Sequence, residues 1–314
     1  MANSSSLLFE ARCLREVVRC SLADEDPCQG GSHKVFKIVF KDSVQWAARV
    51  CHDPDNWKYE LRAVKMFQHI KQSHPDIKAP GVLFKAEHPV LYSEWVSGEP
   101  LAVWNSQIPL NKRQRLLEDL AEFLLQLWTT AAPPLILSQS QSPDYAGEYD
   151  KYTDVGFAHG DLNTYNIMKG DHFHLTGVID WDWISLAPLP AVIHHPWFIA
   201  DIPGWRNNGL AEGESFGDDR CFLENAIKAK ETSQQLPDTV STLLRDSGRR
   251  LFFQSAFYIK GIYEKFVKMH CTRIEENIKA ATLQLDAVLS LYPEWSEVEG
   301  VHRIKGKLDE YYIR

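Results

Sequence analysis

Long apolar runs are absent from this sequence. None of its 314 residues belongs to a stretch approaching the ~20 apolar residues that a helix needs to span a bilayer. Met1–Ser6 is polar, and the apolar run that starts at Leu7 is too short for the core of a signal peptide. Because 44% of the residues are hydrophobic, the chain can bury a core, and we expect a globular cytoplasmic protein without a membrane partner.

Basic residues are also scarce. Lys and Arg number 34 against 42 Asp and Glu, which gives a net charge of -8. Nucleic acids select for basic protein surfaces, so the sequence predicts no nucleic-acid partner. The acidic balance is compatible with a cationic small substrate, although the solubility of the surface explains it equally well. Nothing in the composition predicts an oligomeric state.

The six cysteines include no C-x-x-C pair, the spacing typical of a structural zinc site. They are Cys13, Cys20, Cys28, Cys51, Cys221 and Cys271. Disulfides are rare in reducing compartments, so the interpretation that fits a cytosolic protein is a set of reduced thiols. The spacing therefore predicts neither a disulfide framework nor a zinc site of this kind.

Two common phosphate-binding signatures are missing as well, since the chain has neither G-x-G-x-x-G nor a Walker A lysine. A glycine pair is present in Gln29–His33, directly before the alternating segment Lys34–Phe40, which predicts a strand. The backbone amides of Gly30, Gly31 and Ser32 are candidates to approach phosphates, although most such pairs form simple turns.

One series of polar residues is strongly patterned. His159-Gly160-Asp161-Leu162 is followed by Asn166 and then by Ile179-Asp180-Trp181. An acid, an amide and a second acid in this order suit phosphoryl transfer, because the first carboxylate can accept a hydroxyl proton while the other two groups hold a metal ion. The surrounding apolar residues predict two hairpin strands, Ile167–Met168 and Gly177–Ile179, which bring Asn166 and Asp180 together.

The series resembles the catalytic loop and the metal-binding strand end of the aminoglycoside phosphotransferase and choline kinase-like family. The resemblance extends from about Gly30 to Pro190. It implies an α+β, two-lobed protein-kinase-like fold, with a small antiparallel-sheet N-lobe that carries one helix and a larger, mainly helical C-lobe. The implied nucleotide-binding N-lobe covers residues 1–97, with a hinge at about 94–97, and the C-lobe covers 98–314 with the catalytic loop and the substrate pocket.

The resemblance implies a role for each charged residue of the site. Asp161 corresponds to the catalytic base, and Asn166 and Asp180 correspond to Mg²⁺ ligands. Arg49 stands where the family has a cation that contacts the phosphates of ATP or GTP, and Glu60 stands where an acid pairs with that cation.

Further residues follow from the same comparison. Glu94, Trp95 and Val96 match the hinge, whose backbone contacts the base of the nucleotide. His159 matches a residue that supports the loop by hydrogen bonding. Asp182 is interpreted as a surface or capping acid, with an outer-sphere metal residue as the alternative.

Periodicity predicts the remaining elements. The predicted strands are Gln45–Cys51, Val82–Lys85 and Val90–Trp95, and the predicted helices are Trp57–Gln72, Arg113–Trp128, Arg249–Met269 and Arg273–Leu291. Pro133–Pro143 is predicted as a loop. The acids and aromatic residues of Leu186–Asp219 are candidates to bind a cationic substrate, although a loop-rich insertion packed by its own aromatic residues explains them equally well.

The sequence thus predicts an ATP- and Mg²⁺-dependent phosphotransferase that acts on a hydroxyl of a small molecule. A protein kinase is the first alternative, although no A-P-E segment follows Asp180. A catalytically idle binding protein with the same fold is the second, and intact Asp161, Asn166 and Asp180 argue against it.

Overall fold

The computed structural model describes residues 4–53, 57–83, 89–132, 154–200, 216–250, 282–283, 285–286, 288–290 and 292–312. These residues belong to two compact units. Met1–Ala102 and His159–Ser185 form the first unit, and Val103–Ala158 and Leu186–Arg314 form the second. The first unit therefore combines the sequence around the predicted nucleotide site with the segment that carries the acid–amide–acid series.

The first unit contains a six-stranded antiparallel sheet of order β1-β3-β4-β6-β5, with β2 paired to β3. Its strands are β1 (Cys20–Leu22), β2 (Cys28–Gln29), β3 (His33–Phe40), β4 (Gln45–Cys51), β5 (Val82–Leu83) and β6 (Val90–Glu94), and its helices are α1 (Ser4–Leu14) and α2 (Trp57–Ser73). The predicted β3, β4, β6 and α2 are confirmed to within a residue or two. Of the predicted strand Val82–Lys85, the last two residues lie outside the described residues.

Side chains on the two faces of β4 have different neighbours because they alternate along a strand. Trp46 and Ala48 are buried in a core cluster with Leu7 and Ala11 of α1. The structure therefore adds to the predicted N-lobe a second helix, α1, which the sequence analysis missed. Ala47 and Arg49 alternate with these residues and line a cavity on the other face.

A second, three-stranded sheet of the first unit carries the predicted hairpin. Its strands are β7 (Glu99–Pro100), β9 (Ile167–Lys169) and β10 (Leu175–Val178), in the order β10-β9-β7. Ile167 pairs with Val178, and the amide of Ile179 donates to the carbonyl oxygen of Asn166 at 2.9 Å. The predicted hairpin is thus confirmed, and it places Asn166 and Asp180 at the same end of the paired strands.

The second unit is mainly helical. Its elements are α3 (Leu110–Thr129), β8 (Val155–Ala158), β11 (Ser185–Pro188), α4 (Leu189–Val192), α5 (Gly217–Ser233), α6 (Thr239–Arg245), α7 (Glu299–Tyr312) and two 3₁₀ helices, Asp246–Arg250 and Pro293–Glu297. The predicted apolar face of α3 is confirmed, since its leucines are buried and the helix packs against α5.

Buried polar contacts also hold α5 in the second unit. The Asp219 carboxylate accepts hydrogen bonds from Trp104 Nε1 at 2.9 Å and from Arg113 Nη1 at 2.7 Å. The predicted loop Pro133–Pro143 and the predicted helix Arg249–Met269 lie almost wholly outside the described residues, as does most of Arg273–Leu291. None of the helices among the described residues is both long and apolar enough to cross a membrane.

Candidate active site

A cavity of about 680 Å³ opens in the first unit, and it brings together every predicted site residue except Glu60. The predicted residues that line it are Gly30, Gly31, Ser32, Arg49, Glu94, Trp95, Val96, Asp161, Asn166 and Asp180. Among the described residues, the charged side chains of the lining are the carboxylates of Glu94, Asp161, Asp180 and Asp182 and the guanidinium of Arg49. Four carboxylates against one guanidinium make this cavity a favourable environment for an additional cation.

The Asp161 carboxylate is oriented by two amide side chains of its own loop. Asn163 Nδ2 donates to Asp161 Oδ1 at 2.8 Å, and Asn166 Nδ2 donates to Asp161 Oδ2 at 2.9 Å. Burial raises the pKa of Asp161, while the hydrogen bonds from Asn163 and Asn166 act in the opposite direction. Because a carboxylate has about four lone-pair sites, both oxygens can still accept a proton or a hydrogen bond. Asn163 was not among the predicted site residues.

His159 connects this loop to the hairpin, as predicted. Its Nε2 lies 2.9 Å from the carbonyl oxygen of Ile179, so Nε2 must carry a hydrogen, and Nδ1 accepts the amide hydrogen of Asp161 at 3.3 Å. The ring also packs on Trp181, with 4.6 Å between centroids. Burial lowers the pKa of His159 to about 4, so the ring is neutral at physiological pH and a poor general base.

Backbone conformation explains two residues of the series. Gly160 has φ +79°, and a Cβ there would lie 2.2 Å from the carbonyl oxygen of Trp183. Glycine is therefore required for both conformation and space. Asp180 has φ 66°, a left-handed conformation that aspartate tolerates better than most residues.

Arg49 forms the second polar network of the cavity. Its Nη2 lies 2.8 Å from Asp182 Oδ2, 3.0 Å from Asp180 Oδ1 and 3.2 Å from His33 Nδ1. Burial alone would lower the pKa of Arg49, but the carboxylates of Asp182 and Asp180 outweigh it and raise the pKa. Burial also raises the pKa of Asp180, an effect that Arg49 opposes and Asp182 reinforces. Nη2 of Arg49 carries two hydrogens, so it cannot donate a separate hydrogen bond to each of these three neighbours at the same time.

The acid that accompanies Arg49 is not the predicted one. Glu60 Oε1 lies 3.0 Å from His33 Nε2, whereas the ion pairs of Arg49 among the described residues go to Asp180 and Asp182. Glu60 belongs to the first turn of α2, is buried and does not line the cavity, and His33 at the start of β3 lies beside it. The interpretation of Asp182 as a surface or capping acid is also wrong, since its side chain is only 20% exposed and pairs with Arg49.

Backbone groups at the cavity are partly engaged with the protein itself. In the hinge, the amide of Glu94 donates to Gly81 and the amide of Trp95 donates to Gln45. Among the described residues Val96 has no such backbone partner for its amide, so it is the hinge amide best placed to meet a ligand. In the turn Gly30–His33, the amide of Gly30 donates to the carbonyl oxygen of His33 at 2.9 Å, so this amide is already engaged within the protein.

The sheet, the hairpin and the helical unit define a protein-kinase-like fold of the α+β class, as predicted. A solved structure of a Plasmodium vivax ethanolamine kinase shares it, with TM-score 0.51, 11% identity and coverage of 89% of this chain and 84% of that one. A scan against protein-family models finds no match, and neither does a search of curated proteins.

Two further solved structures are similar at lower scores. An ADP-bound aminoglycoside phosphotransferase has TM-score 0.48 at 11% identity, covering 94% of this chain and 98% of its own. A macrolide 2′-phosphotransferase from Brachybacterium faecium, solved as the apoenzyme, has TM-score 0.46 at 12% identity, covering 86% and 99%.

Proposed function

We propose that this protein transfers the γ-phosphate of ATP or GTP to a hydroxyl group of a small molecule. The observation that carries this proposal is the meeting of Asp161, Asn166, Asp180 and Arg49 in one cavity of a kinase-like unit. An acid beside the acceptor, oxygen ligands for a metal and a cation for phosphate are the parts that phosphoryl transfer requires. The nucleotide-binding N-lobe at 1–97 and the catalytic C-lobe at 98–314 belong to the same proposal.

Asp161 acts as the catalytic base in this proposal. Its carboxylate is fixed by Asn163 and Asn166, so the acceptor hydroxyl can be aligned before transfer. The proton of that hydroxyl passes to a carboxylate oxygen of Asp161. Burial raises the pKa of Asp161, which makes it a better proton acceptor than an exposed aspartate.

The donor set at the hairpin end fits Mg²⁺. Asn166 uses its amide nitrogen on Asp161, which leaves its amide oxygen as a ligand next to the Asp180 carboxylate. Carboxylate and amide oxygens are ligands that Mg²⁺ accepts together with phosphate and water. Mg²⁺ bound there would neutralise charge on the phosphates and on the acidic lining of the cavity.

Arg49 contacts the phosphates in this account. If Asp180 held a metal ion, Arg49 would still have Asp182, whose Oδ2 lies 2.8 Å from its Nη2, to fix its charge in the cavity. The amide of Val96, and the carbonyl groups of the hinge, are the backbone groups that would meet the base.

The test is nucleotide consumption with Mg²⁺ in the presence of hydroxylated amines such as ethanolamine and aminoglycosides, uncharged alcohols, and a hydroxylated peptide. We expect acceptor-stimulated consumption with at least one small molecule, and a loss of about 10²- to 10⁴-fold in Asp161→Asn. Stimulation by the peptide alone would favour a protein kinase. Nucleotide binding without turnover over the whole panel would support an idle binding protein.

A further inference from the structure

Three buried side chains of different chemistry converge on the face of the sheet that carries Arg49. They are His33, Cys51 and Glu60, and one ligand atom of each lies within 4.8 Å of the other two. His33 on β3 and Cys51 on β4 are register partners, so their side chains point to the same face of the sheet. Helix α2 places Glu60 beside them. Each of the three residues is at least nine-tenths buried.

The imidazole of His33 is incompletely satisfied in this cluster. Its Nε2 is buried and has no hydrogen-bond partner in the part of the chain that the structure describes, although Glu60 Oε1 lies 3.0 Å away. Its other nitrogen, Nδ1, lies 3.4 Å from Asp182 Oδ2. In a metal-binding histidine one ring nitrogen binds the metal and the other donates its hydrogen to a carboxylate. Nε2 beside Cys51 and Glu60, and Nδ1 beside Asp182, fit these two roles.

We propose that His33 Nε2, Cys51 Sγ and the Glu60 carboxylate bind a divalent zinc ion, at a site separate from Asn166 and Asp180. Nitrogen, sulfur and carboxylate oxygen are the ligands that Zn²⁺ selects, and a fourth position can be filled by water. The thiolate disfavours Mg²⁺ and Ca²⁺, which prefer oxygen. Burial raises the pKa of the Cys51 thiol to about 11, so zinc uptake must release the thiol proton to solvent.

The site would connect three elements of the first unit. A zinc ion shared by β3, β4 and α2 cross-links the sheet to the helix that covers it. It would also fix the ring of His33, whose Nδ1 would then carry the hydrogen and face Asp182 Oδ2 at 3.4 Å. No sequence motif predicts the cluster, because its members are brought together by strand pairing and by helix packing rather than by spacing along the chain.

The test uses the full chain, stripped of metal with a chelator and titrated with Co²⁺ and then with Zn²⁺. We expect a thiolate-to-cobalt charge-transfer band at one equivalent of Co²⁺, its removal by Zn²⁺, and no change with excess Mg²⁺. Cys51→Ser should abolish the band. The matched variants Cys20→Ser, a buried thiol outside the cluster, and Cys28→Ser, an exposed one, should keep it.

Circular dichroism of the metal-free protein tests whether Cys51→Ser folds. If it does not fold, a second variant still tests the proposal. Glu60→Gln retains the thiolate, so it should keep the band while zinc affinity falls by about tenfold or more. Absence of the band in the wild-type protein, its survival in a folded Cys51→Ser, or unchanged zinc affinity in Glu60→Gln would each overturn the proposal.

Discussion

Two polar networks line the same cavity, and they are built in different ways. The Asp161 network joins His159, Asn163 and Asn166, which are neighbours in sequence, and depends on short-range turns. The Arg49 network joins β4 to residues more than a hundred positions away, including Asp182. The contacts of a network made by neighbours in sequence can be predicted from a motif, whereas the partners that Arg49 finds by packing of distant elements cannot.

The largest expected effect falls on the backbone of the first network. In Gly160→Ala the new Cβ meets the Trp183 carbonyl oxygen at a positive φ, so we expect a loss of about 3 kcal/mol or more in unfolding free energy. Gly170→Ala is the matched control, because its Cβ would have only an ordinary contact at 3.5 Å. Urea unfolding measures both, and equal losses would contradict the assigned role of Gly160.

His159 should make the stability depend on pH. Its pKa is about 4 in the folded protein, against 6.5 for an ordinary histidine, so the unfolded chain binds the proton more readily. Stability should therefore fall as pH drops from about 6.5 towards 4, by up to about 3 kcal/mol. The raised pKa values of Asp161 and Asp180 act oppositely, chiefly at the acid end. Unfolding of His159→Asn over the same range should show a smaller drop, and an unchanged drop would refute this origin.

Double-mutant cycles test whether Asp182 or Glu60 is the acid that pairs with Arg49. We expect Arg49→Met and Asp182→Asn to be coupled by about 1–3 kcal/mol in unfolding free energy, because the two side chains form a half-buried ion pair. Arg49→Met and Glu60→Gln should be coupled more weakly than that pair, since Glu60 lies against His33 and its charge acts on Arg49 less than the charges of Asp182 and Asp180 do. The reverse order of coupling would restore the predicted Arg49–Glu60 pair.

The smallest effect concerns Asn163. Asn163→Ala removes the hydrogen bond that holds down the pKa of Asp161, so the acid limb of the kcat–pH profile should move to higher pH. Turnover at neutral pH should change by about tenfold at most. Asn105→Ala is the control, because Asn105 accepts an amide two residues later, as Asn163 does, but in the second unit. If the acid limb of the kcat–pH profile moved equally in both variants, the cause would be a general loss of loop stability and not the hydrogen bond from Asn163 to Asp161.

The parts of the fold that were predicted are those with a strong local period. Strand alternation identified β3 and β4, and the leucine spacing identified α3. Helix α1 was missed because few of its residues are buried, and those few find their partners on the sheet. Its packing includes the Tyr92 hydroxyl, which donates to the carbonyl oxygen of Leu7 at 3.2 Å, a contact that no local pattern shows.

The candidate site divides in the same way. The motif identified Asp161, Asn166 and Asp180 because their spacing is set by one loop and one hairpin. The partner of Arg49 was wrong because the choice between Glu60 and Asp182 depends on where α2 rests on the sheet. In the structure Glu60 lies beside His33 rather than beside Arg49. No pattern in the sequence predicts that His33 takes this position.

The central claim is that Asp161 serves the acceptor while Asp180 serves the metal-bound nucleotide, and one binding measurement tests it most directly. Isothermal titration with ATP, with and without Mg²⁺, compares the wild-type protein with Asp161→Asn and Asp180→Ala. We predict that Asp161→Asn keeps the Mg²⁺-dependent affinity of the wild-type protein, while Asp180→Ala loses about tenfold or more. Unchanged Mg²⁺-dependent binding in Asp180→Ala would contradict the claim.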